Sequence, residues 1–183
     1  DRQVGVFLHD NFARPTKRGG AWMSSYRLQS RIAGDVLPII VNNNNFAKGA
    51  PGEPTLLSLD DALTLFHEFG HGLHGLLSQV TFESLSGTQV LRDFVELPSQ
   101  IFENWLLEPE VLKKHARHVE TGAPMPDELI ARLEQARRFN QGFETVEYTA
   151  CALVDMALHA QTQPDGVDIT AFEREELARI GMP

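Results

Sequence analysis

The sequence predicts a mainly α-helical protein with a small antiparallel β-sheet at its N-terminal side. Three observations carry this expectation. Residues 1–57 contain three short runs rich in β-branched and aromatic residues, "QVGVFLH", "GGAWM" and "VLPIIVNN", separated by Pro and Gly. From Ser58 onward, apolar residues recur at intervals of three and four. Pro, Gly and capping residues then divide this second part into pieces of helix length. One unit is expected over 1–183, with sheet and loops in 1–57 and helices in 58–183.

Taken in order, "QVGVFLH" reads as the first strand, and "RPTKRGGAWM" turns through its Pro and Gly into the second. "VLPIIVNN" is the third, while the four asparagines at 42–45 read as a loop that continues into "FAKGAPGEP". Ser58 can cap a helix that starts at about residue 59 and carries Asp60 and Asp61 in its first turn. This helix has Leu63, Phe66, Leu73 and Leu77 on one stripe and Leu65, Phe69 and Leu76 on the next, so burial over most of its circumference is expected. Beyond a connection at 78–89, "RDFVELPSQIFENWLL" returns to helical period, with Phe94, Leu97, Ile101 and Trp105 on one side and Pro98 placed to kink it. Further helices are expected at "PEVLKKHARHV", at "PDELIARLEQARRF", from about Gly142 to Gln161, and at "ITAFEREELARI". Cys151 and Tyr148, on the long helix, are expected in the core.

A content of 42% hydrophobic and 22% charged residues fits a soluble globular domain with its own core. The net charge of −9, with no basic cluster beyond "RPTKR", argues against nucleic acid and anionic membranes as main partners. One cysteine allows no disulfide within the chain and fits a reducing, cytoplasmic compartment. No apolar run reaches the roughly 18 residues of a membrane-spanning helix. The chain starts at Asp1 without an initiator Met or signal peptide, so it is expected to be a piece of something longer, and to be monomeric.

The polar side of the first helix runs Asp60, Thr64, His67, Glu68, His71. A buried ionisable group without a partner gives up its charge or destabilises the fold, so this stripe needs a partner. His67 and His71 are four apart and project from one face, where they can share a metal ion. Glu68, about 100° round the helix, can hold the water on that metal. This is the H-E-x-x-H arrangement of zinc hydrolases, with Glu68 as general base. A third protein ligand would leave one position for water. His74 and Leu77 stand where a metzincin would have Gly and His, which excludes that class. Glu83, Glu96 and Glu103 are the candidates. Glu83 falls in the connection, whereas Glu96 and Glu103 share a helix face with Gln100 between them, as a ligand and the groups that hold it would.

Asp93 and His74 are further candidates for groups that support the ligands, His74 as a hydrogen-bonded neighbour. His115, His118 and His159 read as surface or capping residues. Gly70, Gly72 and Gly75 each cost a helix about 1 kcal/mol relative to Ala, which predicts close approach of a backbone or of substrate. "GGAWM" reads either as an edge strand that pairs with a peptide or as a hairpin that packs Trp22 into the core.

"FHEFGHGLH" at 66–74 and "DFVELPSQ" at 93–100, with 24 residues between His71 and Glu96, resemble the thimet oligopeptidase family of zinc metallopeptidases, M3. "GVFLHDNFARPTKRGGAWM", "ENWLLEPEVL" and "HVETGAPMPDEL" extend the resemblance over nearly the whole chain. It implies that Glu96 is the third ligand, that one zinc ion is the cofactor, and that the fold is a zincin-like, neurolysin-like part of a catalytic domain. "KRGGAWM", "LFHEFGHGLHGL" and "RDFVE" are most similar to bacterial peptidyl-dipeptidases, which remove C-terminal dipeptides from short peptides; the endo-acting oligopeptidase A type comes second. In the family, oxyanion help comes from a His-, Gly- and Tyr-rich segment downstream of residue 183. Tyr26 and Tyr148, the only tyrosines, are not in such a motif, so this chain is expected to hold zinc and to hydrolyse peptides slowly, or to be an inactive zinc-binding fragment.

Overall fold

The central strand of the sheet is the run whose alternate residues are all buried. In the computed structural model, which describes residues 2–163 and 165–182, β3 (Ile39–Phe46) buries Ile40, Asn42, Asn44 and Phe46 on one face. A strand buried in this way takes the centre, and β1 (Val6–Phe12) and β2 (Trp22–Arg27) take the edges, giving the order β1-β3-β2. β2 runs antiparallel to β3, but β1 runs parallel to it, so the sheet is mixed and not antiparallel as expected. The reason is the central position of β3: residues 13–21 must carry the chain across it and cannot simply fold β1 back onto β2.

Lys17 fixes that crossing. Its nearly buried ammonium donates to the carbonyls of Asp10, Phe12 and Asn44, the first two at 2.6 and 3.2 Å, and pairs with the Asp10 carboxylate at 3.2 Å. The four asparagines, expected as a loop, belong to β3. Their amides are used by the surroundings: Asn45 Nδ2 donates to the carbonyls of Arg18 and Gly20, both at 2.7 Å, and Asn44 Nδ2 donates to Asn11 Oδ1 at 3.0 Å. These tertiary bonds override the turn preference of Asn. β2 is an edge strand, and Trp22 at its start is half-buried beneath the Arg18 guanidinium, 4.5 Å from the ring centroid.

Helix α1 (Leu59–Leu76) starts where Ser58 predicts. Ser58 Oγ accepts from the Asp61 amide and Asp61 Oδ2 from the Ser58 amide, both at 3.0 Å. Its glycines set the packing. A β-carbon on Gly75 would lie 2.6 Å from Ile40 Cδ1, and one on Gly72 3.0 Å from the Phe7 ring, so the helix backbone rests on the sheet. On another side, a β-carbon on Gly70 would lie 2.6 Å from Pro98 O and Ser99 Cα. The buried residues of α1 are therefore Glu68, Gly70, His71, Gly72 and Gly75, while the leucines are half-buried and Leu77, just past its end, is exposed. Burial over most of the apolar circumference is thus corrected: glycines bring the neighbours close, and the larger side chains fill the flanks.

The next helix is broken at Glu96 into α2 (Arg92–Val95) and α3 (Leu97–Leu106). Pro98 occupies the second position of α3, where its missing N–H is not needed, and the break falls two residues before it. Phe66 and Phe69 of α1 meet Phe102 at centroid distances of 5.7 and 5.5 Å. The expected apolar side of Phe94, Leu97, Ile101 and Trp105 faces outward, because α3 turns its buried Ser99 toward Gly70. A single 3₁₀ turn, Glu83–Leu85, lies in the connection before α2, and α4 (Pro109–His115) follows α3. His115 is exposed, and His118 Nδ1 accepts from the Glu120 and Thr121 amides at 3.3 Å.

All of this lies in one compact unit, Asp1–Pro126; a second, Asp127–Pro183, contains α5 (Asp127–Arg138), α6 (Gln141–His159) and α7 (Ile169–Arg179). On α6 only Ala150 is buried. Cys151 is exposed and Tyr148 is 82% exposed, against expectation, because the described neighbours cover one side of the helix only. His159 Nδ1 lies 2.9 Å from Asp155 O, a contact within the last turn. Among the described residues no helix is long and apolar enough to cross a membrane.

The fit of Gly70 against a neighbouring backbone makes a direct prediction. Gly70→Ala should lower the stability of the first unit by about 1–3 kcal/mol, the range for overpacking, despite the better helix propensity of Ala. Urea unfolding followed by tryptophan fluorescence measures it; an unchanged or raised midpoint would contradict this packing.

Candidate metal centre

The site is assembled by one regular helix and one break. On α1, His67 and His71 stand one turn apart with their ring centroids 4.9 Å from each other. The break between α2 and α3 carries Glu96, whose backbone (φ −86, ψ −6) closes one helix and opens the next. Its Oε2 lies 3.2 Å from His67 Nε2 and 3.1 Å from His71 Nε2. The three atoms that could hold a metal ion all lie within 4.8 Å of one another.

Two further side chains hold this group. Ser99, fully buried, directs its hydroxyl at both Glu96 O (2.8 Å) and Glu96 Oε2 (2.9 Å). Sequence reasoning gave Ser99 no role, although a hydroxyl three residues after a helix-breaking carboxylate is a detectable signal in "ELPS". Glu103 Oε1 lies 2.6 Å from His67 Nδ1. When that nitrogen donates its proton to Glu103, Nε2 is left with a lone pair toward Glu96. A lone pair and a carboxylate oxygen 3.2 Å apart repel each other unless a cation lies between them. Zinc with ligand bonds of about 2.0–2.1 Å has tetrahedron edges of about 3.3 Å, close to both separations here. Two imidazoles and one carboxylate are also a zinc donor set, so the residues present fit the ion.

Glu68 is only 5% exposed, and its Oε2 has no hydrogen-bond partner among the described residues. Burial pushes its carboxyl above the ordinary value of 4.5; the Glu96 charge adds to this, and His67 opposes it. Burial likewise holds His71 below the ordinary imidazole value, against the pull of Glu96, and its Nδ1 is also unpartnered. A neutral His71 is the form that can ligate a metal.

Other candidates are not brought into the cluster. His74 packs its ring 6.1 Å from that of Phe94, and its buried Nδ1 has no partner, so the expected hydrogen bond is not formed. Burial lowers its pKa. The apolar surroundings at α2, which supply a ring in place of an acceptor, are the reason. Asp93 and Gln100 are exposed, with no side-chain hydrogen bond among the described residues, and Glu83 is exposed in the 3₁₀ turn.

Because Glu68 has a higher pKa folded than unfolded, its burial cost is absent below pH 4.5 and grows as the pH rises from there through the folded pKa. The metal-free Glu68→Gln variant should therefore be more stable than the parent at pH 7, by a margin that shrinks toward pH 4.5. Urea unfolding of both proteins at the two pH values measures this. A margin that is constant with pH, or reversed, would contradict the burial of an unpaired carboxyl.

The family model described as peptidase family M3 matches residues 1–181. The chain is 45% identical to the dipeptidyl carboxypeptidase of Escherichia coli K12 over 180 residues, 98% of this chain and 26% of that protein. It is 44% identical to the dipeptidyl carboxypeptidase of Salmonella typhimurium over 96% of this chain and 26% of the relative. To oligopeptidase A of Escherichia coli K12 it is 42% identical over 88% of this chain and 24% of the relative. It thus spans about a quarter of the length of these relatives. With nearly every residue matched by the family model, the chain belongs to peptidase family M3.

Proposed function

We propose that this chain is part of the catalytic domain of a zinc metallopeptidase that releases C-terminal dipeptides from short peptides. The observation that carries the reading is the convergence of His67 Nε2, His71 Nε2 and Glu96 Oε2 beside the buried, unpartnered carboxyl of Glu68. His67, His71 and Glu96 would hold one zinc ion, with Ser99 and Glu103 fixing the orientations of Glu96 and His67. When bound, zinc acidifies water and polarises a carbonyl. Glu68 takes the proton of the attacking water and passes it to the leaving amine. Its raised pKa suits both roles, because a carboxyl that holds a proton more firmly is the better base. The accompanying fold is zincin-like, supported by α1 resting through Gly72 and Gly75 on the sheet. Cytoplasmic residence is supported by the free, exposed thiol of Cys151.

Dipeptide release, in preference to internal cleavage, is supported by the names of the two dipeptidyl carboxypeptidases to which the chain is similar. Similarity to oligopeptidase A supports the endo-acting alternative. Tyr26, 72% exposed and in the same unit as the cluster, forms no side-chain hydrogen bond with it among the described residues, and slow turnover by this chain alone belongs to the proposal.

The test is product analysis by mass spectrometry after long incubation of the zinc-loaded chain with an N-acetylated nonapeptide. Stepwise loss of dipeptides from the C-terminus is expected, and Glu68→Gln should retain zinc while losing the activity at least about a hundredfold. Internal fragments would replace dipeptide release by the oligopeptidase reading. No zinc-dependent product from the parent would overturn catalysis by this chain.

A further inference from the structure

The elements that build the metal centre are almost without positive charge. From residue 49 through residue 112 the sequence contains a single lysine or arginine, Arg92. The same stretch contributes the carboxylates of Glu68, Glu96 and Glu103 to the centre. With one zinc ion bound, these three carboxylates still leave the centre with about one negative charge in excess, so a substrate that ends in a free carboxylate gains from a further cation nearby. Arg92 is exposed, and its guanidinium has no hydrogen bond or ion pair among the described residues. Several other cations of the first unit are engaged: Arg14 and Arg31 pair with Asp10 and Asp35, Lys17 is buried on carbonyls, and Arg18 lies over Trp22.

Position supplies the second argument. Arg92 opens α2, and helical backbone continues to Glu96, four residues on. Residues four apart share a helix face, with β-carbons about 5–6 Å from each other. Two extended residues beyond a scissile bond place their terminal carboxylate about 7 Å away. From that place on the helix, the long Arg92 side chain can reach a carboxylate about a dipeptide's length from a bond cleaved beside Glu96.

We propose that Arg92 is a specificity-determining residue that binds the C-terminal carboxylate of the peptide and so sets the cut two residues from the end. The inference rests on the dipeptide-release reading above. A guanidinium binds a carboxylate through two parallel hydrogen bonds, and an amide in that place satisfies it poorly. The result is a preference for peptides with a free C-terminus.

The test is calorimetric binding to the zinc-loaded chain in the Glu68→Gln background, which prevents turnover. The probes are N-acetyl-tetra-alanine and its C-terminal amide. The free acid should bind about tenfold more tightly than the amide, as expected for hydrogen bonds to a charged group. Arg92→Ala should bring that ratio close to one by weakening the acid alone, and Arg92→Lys should restore part of it. Zinc content and helical circular dichroism should be unchanged in both variants. A ratio retained in Arg92→Ala would overturn the role of Arg92 and leave dipeptide release standing. A ratio near one in the Glu68→Gln parent would overturn both. No measurable binding of either probe to a zinc-loaded chain would overturn the role of Arg92 and the centre as a peptide site.

Discussion

One carboxylate oxygen facing two imidazole nitrogens is the constraint on which the rest of this structure depends. Glu96 Oε2 stands 3.1–3.2 Å from His71 Nε2 and His67 Nε2, and three features are required to keep it there. The helix must break at Glu96, so that its side chain leaves the α2–α3 axis toward α1. Gly70 must lack a side chain, so that the Pro98–Ser99 backbone can approach α1. Ser99, buried by that approach, must hold the carboxylate from behind. Removing any one of them alters the position of the Glu96 carboxylate.

The sheet contributes from the other side. Gly72 and Gly75 seat α1 on Phe7 and Ile40, which fixes the rotation of the helix and with it the direction of both histidines. That close seating also excludes water from Glu68 and His71. The buried face of α1 therefore consists of glycines and ionisable groups, an arrangement with little apolar burial to stabilise it. The half-buried leucines on the flanks and the Phe66, Phe69 and Phe102 rings provide the packing that holds the face in place. Stability and chemistry are thus separated around one helix: its flanks hold the fold together, and its buried stripe carries unpaired groups at a cost.

Much of this was legible in the sequence because local signals dominate it. Ser58 and Asp61 cap α1 by their own side chains, and the four-residue spacing of His67 and His71 follows from helix geometry alone. Glu96 was one of three open candidates from spacing, and only family resemblance singled it out. The failures are non-local. The direction of β1 depends on which strand is central, and the asparagines of β3 became strand residues through bonds to Arg18, Gly20 and Asn11, distant in sequence. The outward stripe of Phe94, Leu97, Ile101 and Trp105 has the period of a core face, but period does not say which face a neighbour will cover. Tyr148 and Cys151 were misplaced for the same reason. Ser99 shows a different limit: its motif was visible, but its role required the three-dimensional position of Glu96 Oε2.

The central claim, that His67, His71 and Glu96 hold one zinc ion with a position left for water, is tested most directly by the zinc K-edge X-ray absorption spectrum of the chain loaded with one equivalent. Four nitrogen and oxygen neighbours at about 2.0–2.1 Å are predicted, with the multiple scattering of two imidazoles. Replacement of Glu96 by Ala should remove one oxygen neighbour or release the metal. A six-coordinate shell of oxygen without imidazole scattering, or a sulfur neighbour at about 2.3 Å, would contradict the account.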